Sequence, residues 1–157
     1  MRRKSATAIL KRLKFPLTGS GFLRIAIDLG FPIHYTGHLH DDVSLQLYYS
    51  AADVMVIPSR QDNLPNTGVE AHACGTPVVA FNTCGLPDIV VHQQTGYLAQ
   101  AFDPVDLAAG LQWVLADRVR YAMLRNAARS RAVALWSQEV VSAQYVAVYQ
   151  TAMLQAS

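Results

Sequence analysis

Two short apolar runs constrain this chain most. Val54, Met55, Val56 and Ile57 form the first, stopped by Pro58, and Val78, Val79, Ala80 and Phe81 form the second, opened by Pro77. Uninterrupted β-rich runs of this length suit strands buried on both faces of a parallel sheet. Between them, Asn66 to Cys74 has helical character and ends at Gly75, a residue that readily takes the left-handed conformation closing a helix. Strand, helix and strand make a βαβ unit with a right-handed crossover. The segment from Ala52 to Leu98 therefore reads as strand, loop, helix, strand, loop. The loop from Ser59 to Asn66 opens at the carboxyl end of a strand, where open α/β sheets bind ligands.

That loop carries chemistry. Asn63-Leu64-Pro65-Asn66-Thr67 runs into a helix N-terminus, whose free N–H groups and dipole favour an anion. Glu70 follows one turn later. A carboxylate beside an anion needs another partner, and a pair of vicinal ribose hydroxyls is apt, since one carboxylate can accept from both. Spacing alone favours a different reading, in which Thr67-x-x-Glu70 is a capping box and Glu70 bonds the Thr67 N–H. Asp62, taken alone, is a solvated loop acid or the head of an Asx-turn.

The residues N-L-P-N-T-x-V-E-A-x-A-C-G-T-P-V-V-A-F from Asn63 to Phe81, followed by G-L-P-D-I-V and T-G-Y-L, resemble the donor-binding half of the family-four retaining glycosyltransferases of GT-B fold. The match is dense over about forty-five residues and weaker on either side. The family's hallmark is two acidic residues eight positions apart, here Asp62 and Glu70, with Asp standing where Glu is usual. The resemblance implies that Glu70 holds the donor ribose, that Asp62 lies near the donor sugar hydroxyls as the catalytic candidate, and that Asn63, Leu64, Pro65, Asn66 and Thr67 line the diphosphate. It overrides the capping-box reading. Gly85-Leu86-Pro87-Asp88 resembles the family's G-x-P-E, with Asp for Glu and Cys84 for the usual preceding Gly, and is expected as a cleft-lining loop.

The fold expected is α/β, a Rossmann-like three-layer parallel sheet with helices on both faces, forming one domain over residues 1–157. The resemblance further implies that the N-terminal acceptor domain and the first strand of the donor half are absent. Arg2-Arg3-Lys4-Ser5 stands where the family has a lysine-glycine pair, which makes Lys4 a candidate donor-phosphate ligand. The implied activity is transfer of a hexose from a UDP- or GDP-sugar to a glycan or lipid-linked acceptor in polysaccharide biosynthesis, with no cofactor and no metal. This chain alone is then expected to be inactive. A different class stays open: a non-catalytic binding or partner module derived from a truncated glycosyltransferase, acting with a missing domain or second subunit.

The rest of the chain adds limits. Apolar residues make up 52% and charged residues 15%, which fits either a well-filled α/β core, the reading favoured here, or a face normally covered by another domain. No apolar run reaches the roughly 18 residues of a membrane span. The N-terminus lacks the continuous apolar stretch of a secretory signal, so a cytoplasmic protein is expected. Cys74 and Cys84 lack CxxC spacing and read as reduced thiols. The net charge of +2 hides an asymmetry: residues 1–27 hold seven Lys or Arg and no acid, the remainder six basic and eleven acidic residues. Residues 1–14 could form a basic amphipathic helix, read as a solvated face near a diphosphate cleft, with peripheral membrane contact as the alternative. No aromatic residue interleaves these bases before Phe15, which argues against nucleic acid.

Gly19-Ser20-Gly21 lacks the third glycine of a dinucleotide fingerprint and reads as a turn with a minor donor role. His38-Leu39-His40-Asp41-Asp42 reads as a loop with Asp42 capping a helix from Val43 to Ser50, rather than as a metal site. Within it Tyr49 is expected in the core. Asp103-Pro104 starts a helix with Leu107, Leu111, Val114 and Leu115 on one face. A further helix spans about Arg118 to Leu135, with its five arginines read as solvated, and Ser137 caps a last one carrying Val141, Tyr145 and Val148.

Overall fold

The computed structural model describes Leu39 and residues 41–155. The basic N-terminal segment with Lys4, the Gly19-Ser20-Gly21 turn, His38 and His40 lie outside the described residues, as do the elements expected between residues 14 and 35.

The chain runs α1 (Asp42–Ala51), β1 (Met55–Ile57), α2 (Asn66–Ala73), β2 (Val78–Phe81), α3 (Leu86–Ile89), β3 (Gly96–Ala99), α4 (Pro104–Ala116), α5 (Arg118–Trp136) and α6 (Gln138–Gln155). The three strands form a parallel sheet in the order β1-β2-β3, with Met55 opposite Val78 and Val78 opposite Gly96. All four residues of β2 are buried, as a central strand covered on both faces requires. Alternation divides the core. Met55, Ile57, Val78 and Ala80 point to a layer holding Tyr49 of α1, Ala71 of α2, and Leu86 and Ile89 of α3. Val54 and Val79 point the other way, onto Val114 of α4 and Leu124 of α5. The α/β sandwich expected from the two runs is therefore present.

Local rules explain most helix ends. Asp103 accepts from the N–H groups of Val105 (2.8 Å) and Asp106 (3.2 Å), Pro104 needs no amide partner at that point, and Asp117 accepts from Arg120 N (2.7 Å). Gly75, at φ +71°, closes α2 as expected. Two expectations shift. Asp41, not Asp42, caps α1 by accepting from Ser44 N at 2.7 Å, because Asp41 is extended and Asp42 already helical. Gly96, Tyr97 and Leu98, expected as loop, lie in strand β3. A glycine and polar neighbours hide its period, yet the pairing needs that glycine, since a Cβ on Gly96 would sit 1.9 Å from the Val78 carbonyl oxygen.

The α5 arginines are not a solvated row. Arg125 Nε donates to Gly75 O (2.9 Å), Arg129 donates to Ala73 O, and Arg131 donates to Ile89 O (3.0 Å) and Asp88 O (2.6 Å). Cations there satisfy the carbonyls that α2 and α3 leave open at their C-terminal ends. Arg120 donates to Trp113 O and lies over its ring at 4.3 Å. Helix α6 buries no side chain and exposes Tyr145, Val146, Val148, Tyr149, Met153 and Leu154. Part of the high apolar content thus lies on a bare helix rather than in the core. Among the described residues no helix is long and apolar enough to cross a membrane.

Candidate functional site

Strands β1 and β2 aim their carboxyl ends at two loops, and backbone contacts fasten these together. Gly85 N donates to Asp62 O at 3.1 Å. A Cβ on Gly85 would fall 1.2 Å from Asn63 O, so only glycine allows the approach. Cys84 before it takes φ +49°, a left-handed conformation that costs a side-chain-bearing residue energy. Its exposed thiol is held below the usual range for cysteine by the Thr83 hydroxyl and then by the Asp62 backbone. Arg60 in the first loop lies 4.8 Å from the ring centre of Phe102, which meets Phe81 edge-on at 6.0 Å and links the turn after β3 to the same edge.

The first loop delivers Pro65 as the N-cap of α2. Pro65 has no side chain that can accept, and no acid occupies the first turn. Helices α1, α4 and α5 begin with an aspartate that accepts their leading N–H groups. The start of α2 keeps that capacity free for an anion. Gly68 lets this turn sit low on the sheet, because a Cβ there would lie 3.0 Å from Ile57 Cδ1 and 3.2 Å from Ile89 Cδ1.

Glu70 faces α1. Tyr49 Oη donates to Glu70 Oε2 at 3.0 Å. The capping box does not form, because Thr67 lies inside the helix and Glu70 has this other partner. Tyr49 is buried as expected, at 2% exposure. Burial raises its hydroxyl pKa, and the Glu70 charge raises it further, so it stays a donor. Its link to Glu70 across 21 residues carries no local sequence signal.

Of the expected site residues, Asp62, Asn63, Leu64, Pro65, Asn66, Thr67 and Glu70 share this strand-to-helix connection. Asp62 and Glu70 are both partly buried. The Asp62 carboxylate accepts no hydrogen bond from a described residue. The Gly85–Asp88 stretch differs from its expected form as an open loop. Leu86 to Ile89 form the helix α3, which turns Leu86 and Ile89 fully into the core, while Cys84 and Gly85 before it meet the first loop at Asp62 and Asn63. A groove of about 510 Å³, lined by Gln46, Ser50, Cys74, Arg125 and Arg129 among others, lies at the other end of α2 and is separate from this site. Among the described residues no group of His, Cys, Asp or Glu is disposed to hold a metal ion.

His72 is the polar residue that the sequence did not single out. It is fully buried in α2, and neither ring nitrogen has a hydrogen-bond partner. Burial pushes its pKa down to about 4, with Arg131 adding to the fall and Thr95 opposing it.

Known proteins share this arrangement. The chain is 42% identical over 106 residues to the D-inositol 3-phosphate glycosyltransferase of Geodermatophilus obscurus, covering 67% of this chain and 22% of that protein. It is 31% identical over 147 residues to an uncharacterized glycosyltransferase of Methanocaldococcus jannaschii, covering 89% of this chain and 37% of that protein. The chain thus spans well under half the length of these curated relatives. Sucrose-phosphate synthase from Thermosynechococcus elongatus superposes with a TM-score of 0.73 at 35% identity, over 80% of this chain and 31% of that one. Anabaena HepE, solved in complex with UDP and glucose, shares the fold with a TM-score of 0.69 at 21% identity, over 76% of this chain and 32% of that one. The neighbours are GT-B glycosyltransferases, and the parallel sheet with its helices matches theirs. The family described as Glycosyl transferases group 1 matches residues 4–117, and the chain belongs to it.

Proposed function

We propose that this chain is the nucleotide-sugar-binding part of a retaining hexosyltransferase and takes a UDP- or GDP-sugar as donor. The observation that carries the reading is the uncapped, acid-free start of α2, delivered by the loop after β1, with Glu70 locked one turn further along. The diphosphate would sit on the free N–H groups around Asn66 and Thr67, and the ribose hydroxyls on Glu70. Asp62 is the catalytic candidate, beside the donor sugar. Lys4 is proposed as a further phosphate ligand. As the diphosphate leaves, aligned backbone dipoles would stabilise its growing charge without a metal. The UDP in the HepE complex supports a nucleotide-sugar donor, and the names of the curated relatives support glycosyl transfer.

The acceptor, a glycan or lipid-linked hydroxyl, would be supplied by a part of the enzyme beyond these residues, in keeping with the share of the relatives that the chain covers. Calorimetry with UDP against uridine, and GDP against guanosine, tests the anion site. The diphosphate should bind at least about tenfold more tightly than its nucleoside, the worth of one charged hydrogen bond. Equal affinities would remove α2 as the phosphate cradle.

A further inference from the structure

Glu70 is half-buried on a short helix, where a glutamate without a partner would sample several rotamers and lose that freedom on binding. The structure removes the freedom beforehand. Tyr49 Oη donates to Glu70 Oε2 at 3.0 Å. Tyr49 itself cannot follow a moving partner. It is 2% exposed at the end of α1. Its carbonyl accepts from Thr76 Oγ1 at 2.7 Å, within the buried core, and from Ala52 N at 3.1 Å. Thr76 N in turn donates to Ala71 O of α2 at 2.8 Å. Tyr49 is therefore tied to α2 twice, by its carbonyl through Thr76 and by its hydroxyl through Glu70, and leaving that hydroxyl unbonded in a buried position would be costly. A tyrosine hydroxyl has one proton to give. With it spent on Oε2, the partly buried carboxylate keeps Oε1 for an incoming donor.

We infer that Tyr49 is a positioning residue for ribose recognition: it fixes the Glu70 carboxylate so that Oε1 meets the ribose 2′-hydroxyl, and so sets preference for ribonucleotide over 2′-deoxyribonucleotide donors. The inference rests on the proposed role of Glu70. Tyr49 reaches the substrate only through Glu70. A purely structural Tyr49 would tie α1 to α2 and leave sugar preference untouched.

The test is calorimetric titration of the wild-type chain, Tyr49→Phe, Glu70→Gln and the double variant with UDP and with 2′-deoxy-UDP. Wild type should prefer UDP. Tyr49→Phe keeps the ring and removes only the hydroxyl. It should weaken UDP by roughly three- to tenfold, the worth of one hydrogen bond, and leave 2′-deoxy-UDP unchanged, so the preference shrinks. Unchanged deoxynucleotide affinity also shows that the variant is folded. In the Glu70→Gln background, Tyr49→Phe should add little, since both act on one contact. A wild-type preference that survives intact in Tyr49→Phe overturns the role of Tyr49 and leaves the donor reading standing. Equal loss for both nucleotides overturns it too, by showing a structural strut. Absence of any preference in wild type overturns the ribose role of Glu70 and the present inference with it.

Discussion

At the scale of single residues, Glu70 and His72 stand two positions apart on α2 and make opposite demands. Glu70 has a partner in Tyr49 and is proposed to hold the ribose, so Glu70→Gln should weaken UDP about tenfold or more, because an amide is a poorer acceptor for hydroxyls. Stability should change little, since the Gln carbonyl still accepts from Tyr49. Thermal melts beside the titrations check both halves. Glu70→Ala should instead cost about 1–3 kcal/mol by orphaning the buried Tyr49 hydroxyl. His72 has no partner and is neutral when folded, its pKa held near 4 by burial. An unfolded histidine binds its proton near pH 6.5. Between these values the unfolded state carries the extra proton, so stability rises with pH. The contribution is whole above about pH 6.5 and fades as pH falls toward 4, by roughly 3 kcal/mol in total. Urea unfolding from pH 7 to pH 4 should show this slope in wild type and a flatter one in His72→Leu. An identical slope in both would show that the ring is not what titrates.

At the scale of elements, the loops after β1 and β2 work as a pair. Gly85→Ala must drive them apart, because its Cβ would collide with the Asn63 carbonyl at 1.2 Å. Loss of UDP binding with a fold still detectable by circular dichroism is expected. Cys84→Gly should act the other way, relieving a left-handed residue and raising stability by up to about 1 kcal/mol. Arg131→Ala frees the carbonyls of Asp88 and Ile89 and should destabilise α3 by about 1–3 kcal/mol, measurable by denaturant unfolding. These features mark what the sequence could reveal. Strands β1 and β2, helix α2 and the caps Asp103 and Gly75 follow from local rules, because each is written in adjacent residues. Strand β3, the Arg131 clasp, the Gly85–Asn63 approach and the Tyr49–Glu70 bond are long-range, and no window of neighbouring residues contains both partners. The capping box, which spacing alone favoured and the resemblance overrode, is absent for a related reason. Its spacing was right, but Pro65 starts the helix two residues before Thr67 and leaves Glu70 free for α1.

At the scale of the whole molecule, the proposed donor site would supply one of the two substrates that transfer needs. Positioning two substrates together supplies much of the rate of such a reaction, and the site proposed among the described residues takes the donor alone. The purified 157-residue chain should therefore show neither transfer nor more than trace hydrolysis of UDP- or GDP-sugars by chromatographic assay. Strong turnover abolished by Glu70→Ala would contradict this. The central claim is narrower: the connection from β1 to α2 is a working nucleoside-diphosphate site. It is tested most directly by titrating the wild-type chain with UDP, GDP and ADP in a calorimeter. The account predicts saturable heat with UDP or GDP. No heat from any of the three up to millimolar concentration would contradict it.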